Sequence, residues 1–93
     1  MGRNNINLVI LDGEKITSKE ELHRHLAWSL NLPEWYGKNL DALYDCLTDI
    51  RERTGIHVFN KDALYENLGP MAHGLLRVLR DAAEENPELH VEM

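Results

Sequence analysis

Two adjacent aromatics, Trp35 and Tyr36, stand just ahead of four carboxylates at helical spacing: Asp41, Asp45, Asp49 and Glu52. On a wheel over residues 39–52, at about 100° per residue, the four acids fall on one arc roughly a quarter turn wide. Leu40, Leu43, Cys46, Leu47 and Ile50 fall on a separate, apolar arc, with Tyr44 and Thr48 between the two. Like charges at i,i+4 repel by about 0.2–0.5 kcal/mol per pair. Asp41–Asp45 and Asp45–Asp49 therefore cost stability, and Asp49 and Glu52 also oppose the negative end of the helix. Arg51 and Arg53 offset this only in part. Such a face is either a solvated helix surface or a surface kept for a cationic partner. The aromatics favour the second reading, because aromatic rings beside concentrated charge have the composition of an interface hot spot. One of Trp35 and Tyr36 is expected to pack into the core.

A second acidic group, Asp81, Glu84 and Glu85, lies near the end of a later helical pattern. There the helix dipole disfavours it. Asp81 and Glu85 are i,i+4 and flank the apolar face, so the two acidic groups form one patch if the two helices are neighbours. Other chemistry is poorly supported. His23 and His25 are two apart on a helix and point in nearly opposite directions. His57, His73 and His90 are dispersed, and none has zinc-like spacing with Cys46, so no metal and no cofactor is expected. No serine sits in a nucleophile elbow, and Gly37 stands alone rather than in a phosphate-binding loop. Asp41 and Asp45 could act as a general acid and base, but no basic or polar partner is evident, and the expectation is a protein without enzymatic activity.

Sixteen acidic residues against ten basic ones give a net charge of −6. That balance suits a basic partner and argues against nucleic acid or an anionic membrane. The longest uninterrupted apolar run, Leu8–Leu11, is far short of a membrane span. The N-terminus, Met1-Gly2-Arg3-Asn4-Asn5, lacks the apolar stretch of a signal peptide. Cys46 is the single cysteine, so no internal disulfide forms, and its place on the apolar arc points to a buried, inert thiol. These features point to one cytoplasmic domain over residues 1–93, a monomer when free.

The elements that must carry these residues follow from periodicity. Ile6–Leu11 reads as a buried strand closed by Asp12-Gly13. Ser18-x-x-Glu21 has capping-box form and opens a helix over 18–30, with Leu22, Leu26 and Leu30 on one face and Trp28 placed at a seam between helices. Asn31 and Pro33 stop it. The acidic helix follows and is expected to end at Gly55, which opens the strand Ile56–Phe59. Asp62–Leu68 reads as one or two helical turns. Gly69-Pro70 breaks the chain before a helix over 70–85, whose apolar face is Met71, Leu75, Val78, Leu79 and Ala82. Asn86-Pro87 ends it, and Leu89–Met93 alternates as a last strand. Strands separated by helices imply a small layered α/β domain: a three-stranded parallel sheet packed with about four helices.

The stretch Leu32-Pro-Glu-Trp-Tyr-Gly-Lys-Asn-Leu-Asp-Ala-Leu-Tyr-Asp-Cys-Leu-Thr48 closely resembles the signature of the barstar family. Asp12–Ile16, Ser18 and Glu21-Leu22-His23 resemble the start of that family, and Leu79–Ala82 through Glu85 can be aligned to its last helix. The resemblance implies a three-stranded parallel fold and an intracellular inhibitor of a secreted, barnase-type ribonuclease. In such inhibitors the second helix and the turn before it plug the enzyme's active site with carboxylates that stand in for RNA phosphates. By matched position, Asp45 is implied as the main phosphate mimic and Asp41 as the partner of an adjacent arginine. Trp35 replaces a tyrosine that stacks on the enzyme's histidine. Tyr36, Gly37, Asn39 and Tyr44 are implied to line the same surface, with Asp81 and Glu85 from the last helix. Three positions depart from the family pattern: Tyr44 for a tryptophan, Lys38 for an acid, and Pro87 where the family has a second cysteine. The implied partner is a basic ribonuclease. The alternative is a barstar-like binding module for another basic protein or a toxin nuclease.

Overall fold

A computed structural model describes residues 6–93, so the N-terminal reading of Met1–Asn5 lies outside the described residues. The chain runs β1 (Asn7–Asp12), α1 (Lys19–Ser29), α2 (Leu40–Thr48), β2 (Thr54–Phe59), α3 (Lys61–Leu68), α4 (Met71–Glu85) and β3 (Leu89–Glu92). The three strands are parallel in the order β1-β2-β3, and two helices carry each crossover. The architecture is the small α/β domain expected from the alternation of strand and helix patterns. Val9 pairs with Ile56, and Ile56 with Val91, which fixes the register across the sheet.

One core holds the domain together. Val9, Leu11, Ile56, Val58 and Leu89 from the sheet meet Leu22 and Leu26 of α1, Leu43 and Leu47 of α2, Leu64 of α3, and Leu75 and Leu79 of α4. The expectation of a fully buried first strand is corrected. Val9 and Leu11 are buried, but Leu8 and Ile10 between them are exposed. Parallel sheets usually carry helices on both faces. Here the core side chains lie on one face, and Leu8, Ile10 and Phe59 stand on the other.

Helix α1 begins at Ser18, whose hydroxyl accepts from Glu21 N at 3.1 Å. The Glu21 carboxylate reaches back one residue further than a standard capping box. It accepts from the backbone N and the hydroxyl of Thr17, at 3.2 and 2.8 Å. The helix ends in a Schellman motif: Asn31 takes a left-handed φ of 55°, Leu32 N bonds Ala27 O at 2.9 Å, and Asn31 N bonds Trp28 O at 3.4 Å. Trp28 does not fill a seam. It is 82% exposed, because at helical spacing it projects from the side opposite the leucines.

Helix α2 is shorter than its acidic periodicity suggests. It stops at Thr48, with Asp49 as the C-cap, so Glu52 lies beyond it and Gly55 sits inside β2. Three interactions end it. Thr48 Oγ1 donates back to Tyr44 O and Asp45 O at 3.0 and 3.1 Å. Asp49 N and Ile50 N make tighter i,i+3 bonds to Cys46 O and Leu47 O. The buried Asn86 amide donates to Leu47 O and Ile50 O, both at 2.9 Å. Asn86 thus ties the end of α4 to the end of α2. The two helices pack side by side, and at Gly74 of α4 a Cβ would come within 2.9 Å of Leu40 Cδ1.

Candidate functional site

The turn between α1 and α2 is fastened at both ends. Leu32 is held by the Schellman bond to Ala27. Asn39 caps α2, its Oδ1 accepting from Ala42 N at 2.8 Å while its Nδ2 donates to Gly37 O at 3.3 Å. Between these points Tyr36 N closes a local turn onto Pro33 O at 3.0 Å, and Lys38 adopts a left-handed φ of 57°. The two aromatics separate as one of each kind. Tyr36 turns inward and is 6% exposed, whereas Trp35 is 80% exposed. Gly37 is placed tightly: a Cβ there would lie 3.3 Å from Asn39 Nδ2 and 3.4 Å from Ala42 Cβ.

A groove runs between this turn and α2. Leu32, Pro33 and Trp35 wall one side, and Asp45, Cys46 and Asp49 the other. Asp45 and Asp49 are exposed, so the groove pairs an aromatic and apolar wall with a carboxylate rim. Asp41 is also exposed, one turn before Asp45. Burial, then Asp45 and Asp49, push the Cys46 thiol up, so it is a neutral wall rather than a nucleophile.

Tyr44 joins the two acidic groups. Burial raises its phenol, and the negative charges of Glu85 and Asp81 on α4 and of Asp45 on α2 raise it further. The packing of α2 on α4 therefore brings Asp81 and Glu85, 36 and 40 positions after Asp45, within electrostatic reach of the same phenol as Asp45. The pairing of Arg80 with Asp81 at 3.5 Å is exposed on both sides and neutralises little of this charge. Of the residues singled out from sequence, Trp35, Tyr36, Gly37 and Asp45 share the groove, and Tyr44 feels the charges of Asp45, Asp81 and Glu85. Asn39 and Asp41 occupy the first turn of the same helix. Among the described residues no three His, Cys, Asp or Glu side chains converge as metal ligands do. No described helix is long and apolar enough to cross a membrane.

Three residues with structural claims on this site were not singled out. His23 is 2% exposed, and its Nδ1 lies 2.6 Å from the Tyr36 hydroxyl. Its position on the α1 wheel, beside Leu30 and Ala27, was the available signal. Asn86 reads in sequence only as a helix stop, and Gly74 carries no sequence signal of its close approach to Leu40.

The family model described as "Barstar (barnase inhibitor)" matches residues 6–93. A Bacillus subtilis (strain 168) protein, named "Putative ribonuclease inhibitor YrdF", is 38% identical over 79 residues. The match spans 83% of this chain and 86% of that protein.

Proposed function

This chain belongs to the barstar family, and from that premise we propose that it is a stoichiometric inhibitor of a small basic ribonuclease of the barnase type, without catalysis of its own. The observation that carries the reading is the groove lined by both the exposed Trp35 and the exposed Asp45, with Tyr44 within electrostatic reach of Asp45, Asp81 and Glu85. A ribonuclease holds a polyanion, so its active site is a cationic cleft. Carboxylates fixed on a helix pair with such a cleft in place of phosphates and cannot be cleaved. Trp35 offers a large rigid ring for stacking on the rim of that cleft. Asp41 pairs with a flanking cation, while Gly37 and Asn39 shape the edge of the surface. A monomer acting in the cytoplasm, guarding the producing cell, fits this role.

Lys38 supports a second reading of the partner. It is an exposed cation just before the acidic helix, at a backbone position of left-handed φ. A different basic nuclease, with an acid opposite Lys38, would use the same face.

The test is a titration of RNA cleavage by a barnase-type ribonuclease. Inhibition should saturate at about one inhibitor per enzyme. Asp45→Ala should weaken binding by about 30-fold or more, the loss that marks a hot spot. Asp81→Ala should cost less, because it stands at the edge of the face. Equal small losses from both would overturn the placement of Asp45 at the centre. Binding without inhibition would favour the second reading.

A further inference from the structure

We infer that His23 is a positioning residue for the binding turn: its hydrogen bond to Tyr36 braces the turn from α1 and so sets where Trp35 stands over the groove. The inference rests on the reading of that groove as the partner-binding face.

The geometry is specific. The Tyr36 hydroxyl and His23 Nδ1 are 2.6 Å apart, and the two rings are tilted by 56° with centroids 5.6 Å apart. Both side chains are buried. The bond joins the middle of the turn to α1, 13 positions earlier in the chain. The backbone bond of Tyr36 is local, to Pro33, and Gly37 is held by the neighbouring Asn39 side chain. The turn's ends are therefore fixed by the Schellman bond and the helix cap, and its centre by Tyr36. Trp35 and Tyr36 are adjacent, so holding the Tyr36 ring inward holds the Trp35 ring outward.

The chemistry of the pair adds a second property. Burial pushes the Tyr36 phenol up to about 12, so it carries its proton at any ordinary pH. Burial also lowers His23, and the cations Lys19 and Lys38 lower it further, against a smaller opposing effect of Glu20. Lys19 and Glu20 come from α1, Lys38 comes from the turn, and Cys46 of α2 stands near the Tyr36 phenol. The phenol keeps its proton and no other hydrogen bond of its hydroxyl is present among the described residues, so the arrangement that satisfies it has the phenol donating to Nδ1 of the Nε2–H tautomer. Protonation turns Nδ1 into a donor, so the phenol must rotate to accept, and a cation is placed in the interior beside two lysines. The folded state therefore favours neutral His23. The stabilisation is present in full above the ordinary histidine value of about 6.5 and is lost as pH falls through the lowered folded value. Below that range the brace reverses its polarity, and the turn loosens.

The experiment has two independent readouts. Trp28→Phe removes the other tryptophan, which lies on the far side of α1, so that Trp35 alone fluoresces. In that background, Tyr36→Phe keeps the ring and removes the hydroxyl. Time-resolved anisotropy of the free protein should show a larger fast-motion amplitude for Trp35, with an unchanged circular dichroism spectrum. Affinity for a barnase-type ribonuclease should fall about 10-fold, the scale of one net hydrogen bond. His23→Gln keeps an acceptor without a titrating ring. As a single change on the Trp28→Phe background it should retain most of the affinity at pH 7.5 and remove the loss of affinity that this ring produces as pH falls below about 6.5. The partner's own titration cancels in that comparison. Unchanged Trp35 anisotropy in Tyr36→Phe would overturn the brace. Altered anisotropy with unchanged affinity would overturn its role in binding, as would the same pH profile in His23→Gln and parent. If the parent fails to inhibit, the reading of the face has failed, and the brace stands or falls on the anisotropy alone.

Discussion

Gly13 illustrates how much a single position constrains this fold. A Cβ there would overlap the Asn60 carbonyl oxygen and come within 2.7 Å of Leu64 N, both backbone atoms that cannot swing aside. The Gly13 carbonyl also accepts from Asn67 Nδ2 at 3.0 Å, so the turn after β1 is pressed against the start of α3. Gly13→Ala should lower stability by about 3 kcal/mol, at the upper end of overpacking costs, and the urea midpoint should fall accordingly. A loss under about 0.5 kcal/mol, the scale of an ordinary surface change, would mean the turn can relax. The sequence announced this glycine only as part of a turn signal. It announced Asp45 much better, because a carboxylate's place on a helix face follows from spacing alone. His23 and Asn86 show the limit. Each owes its role to a partner 13 or 39 positions away, and no local pattern encodes such a pairing.

At the scale of elements, strand and helix types were legible throughout, and the ends were legible where a local motif sets them. Ser18 opens α1 and Asn31 closes it, as their residue types suggest. The end of α2 was not legible. Its acidic and apolar arcs continue to residue 52, but Asn86 takes the last carbonyls and the chain must turn to enter β2 at Thr54. The exposure of Leu8 and Ile10 was hidden for a related reason. A continuous apolar run does not reveal whether one face or both will be covered. Asn86→Ala tests the clamp. It removes both donors and leaves Leu47 O and Ile50 O without this partner, which should cost about 1–3 kcal/mol. The urea midpoint should drop with an unchanged slope. Asn86→Asp keeps the shape but supplies a carboxylate where an amide donates, and it should be no better than alanine. Full stability in Asn86→Asp would show that the interloop contact is steric rather than a hydrogen-bonded cap.

For the whole molecule the governing quantity is the distribution of its net charge of −6. Asp41 and Asp45 on α2 and Asp49 at its C-cap lie along one element, Asp45 and Asp49 share the groove with Trp35, Asp81 and Glu85 come from the adjacent α4, and Lys38 is a local cation just ahead of α2. A concentrated field of this kind draws a basic protein into the correct orientation before contact, so its signature is in the association rate. Raising ionic strength from about 0.01 to 0.15 M shortens the screening length from about 30 to 8 Å, less than the breadth of the acidic face. The association rate with a barnase-type ribonuclease should therefore fall by about 10-fold or more over that range, with a much smaller change in the dissociation rate. Lys38→Glu removes the opposing charge without touching the groove. It should raise the association rate at low salt and steepen the salt dependence. Stopped-flow mixing measures both. If the partner presents only cations to this face, Lys38→Glu will also slow dissociation. If dissociation quickens instead, Lys38 meets an acid on the partner, and the nuclease bound is one selected by that lysine. An association rate insensitive to salt in the parent would remove electrostatic capture from the account, leaving Trp35 and the groove to carry recognition by shape.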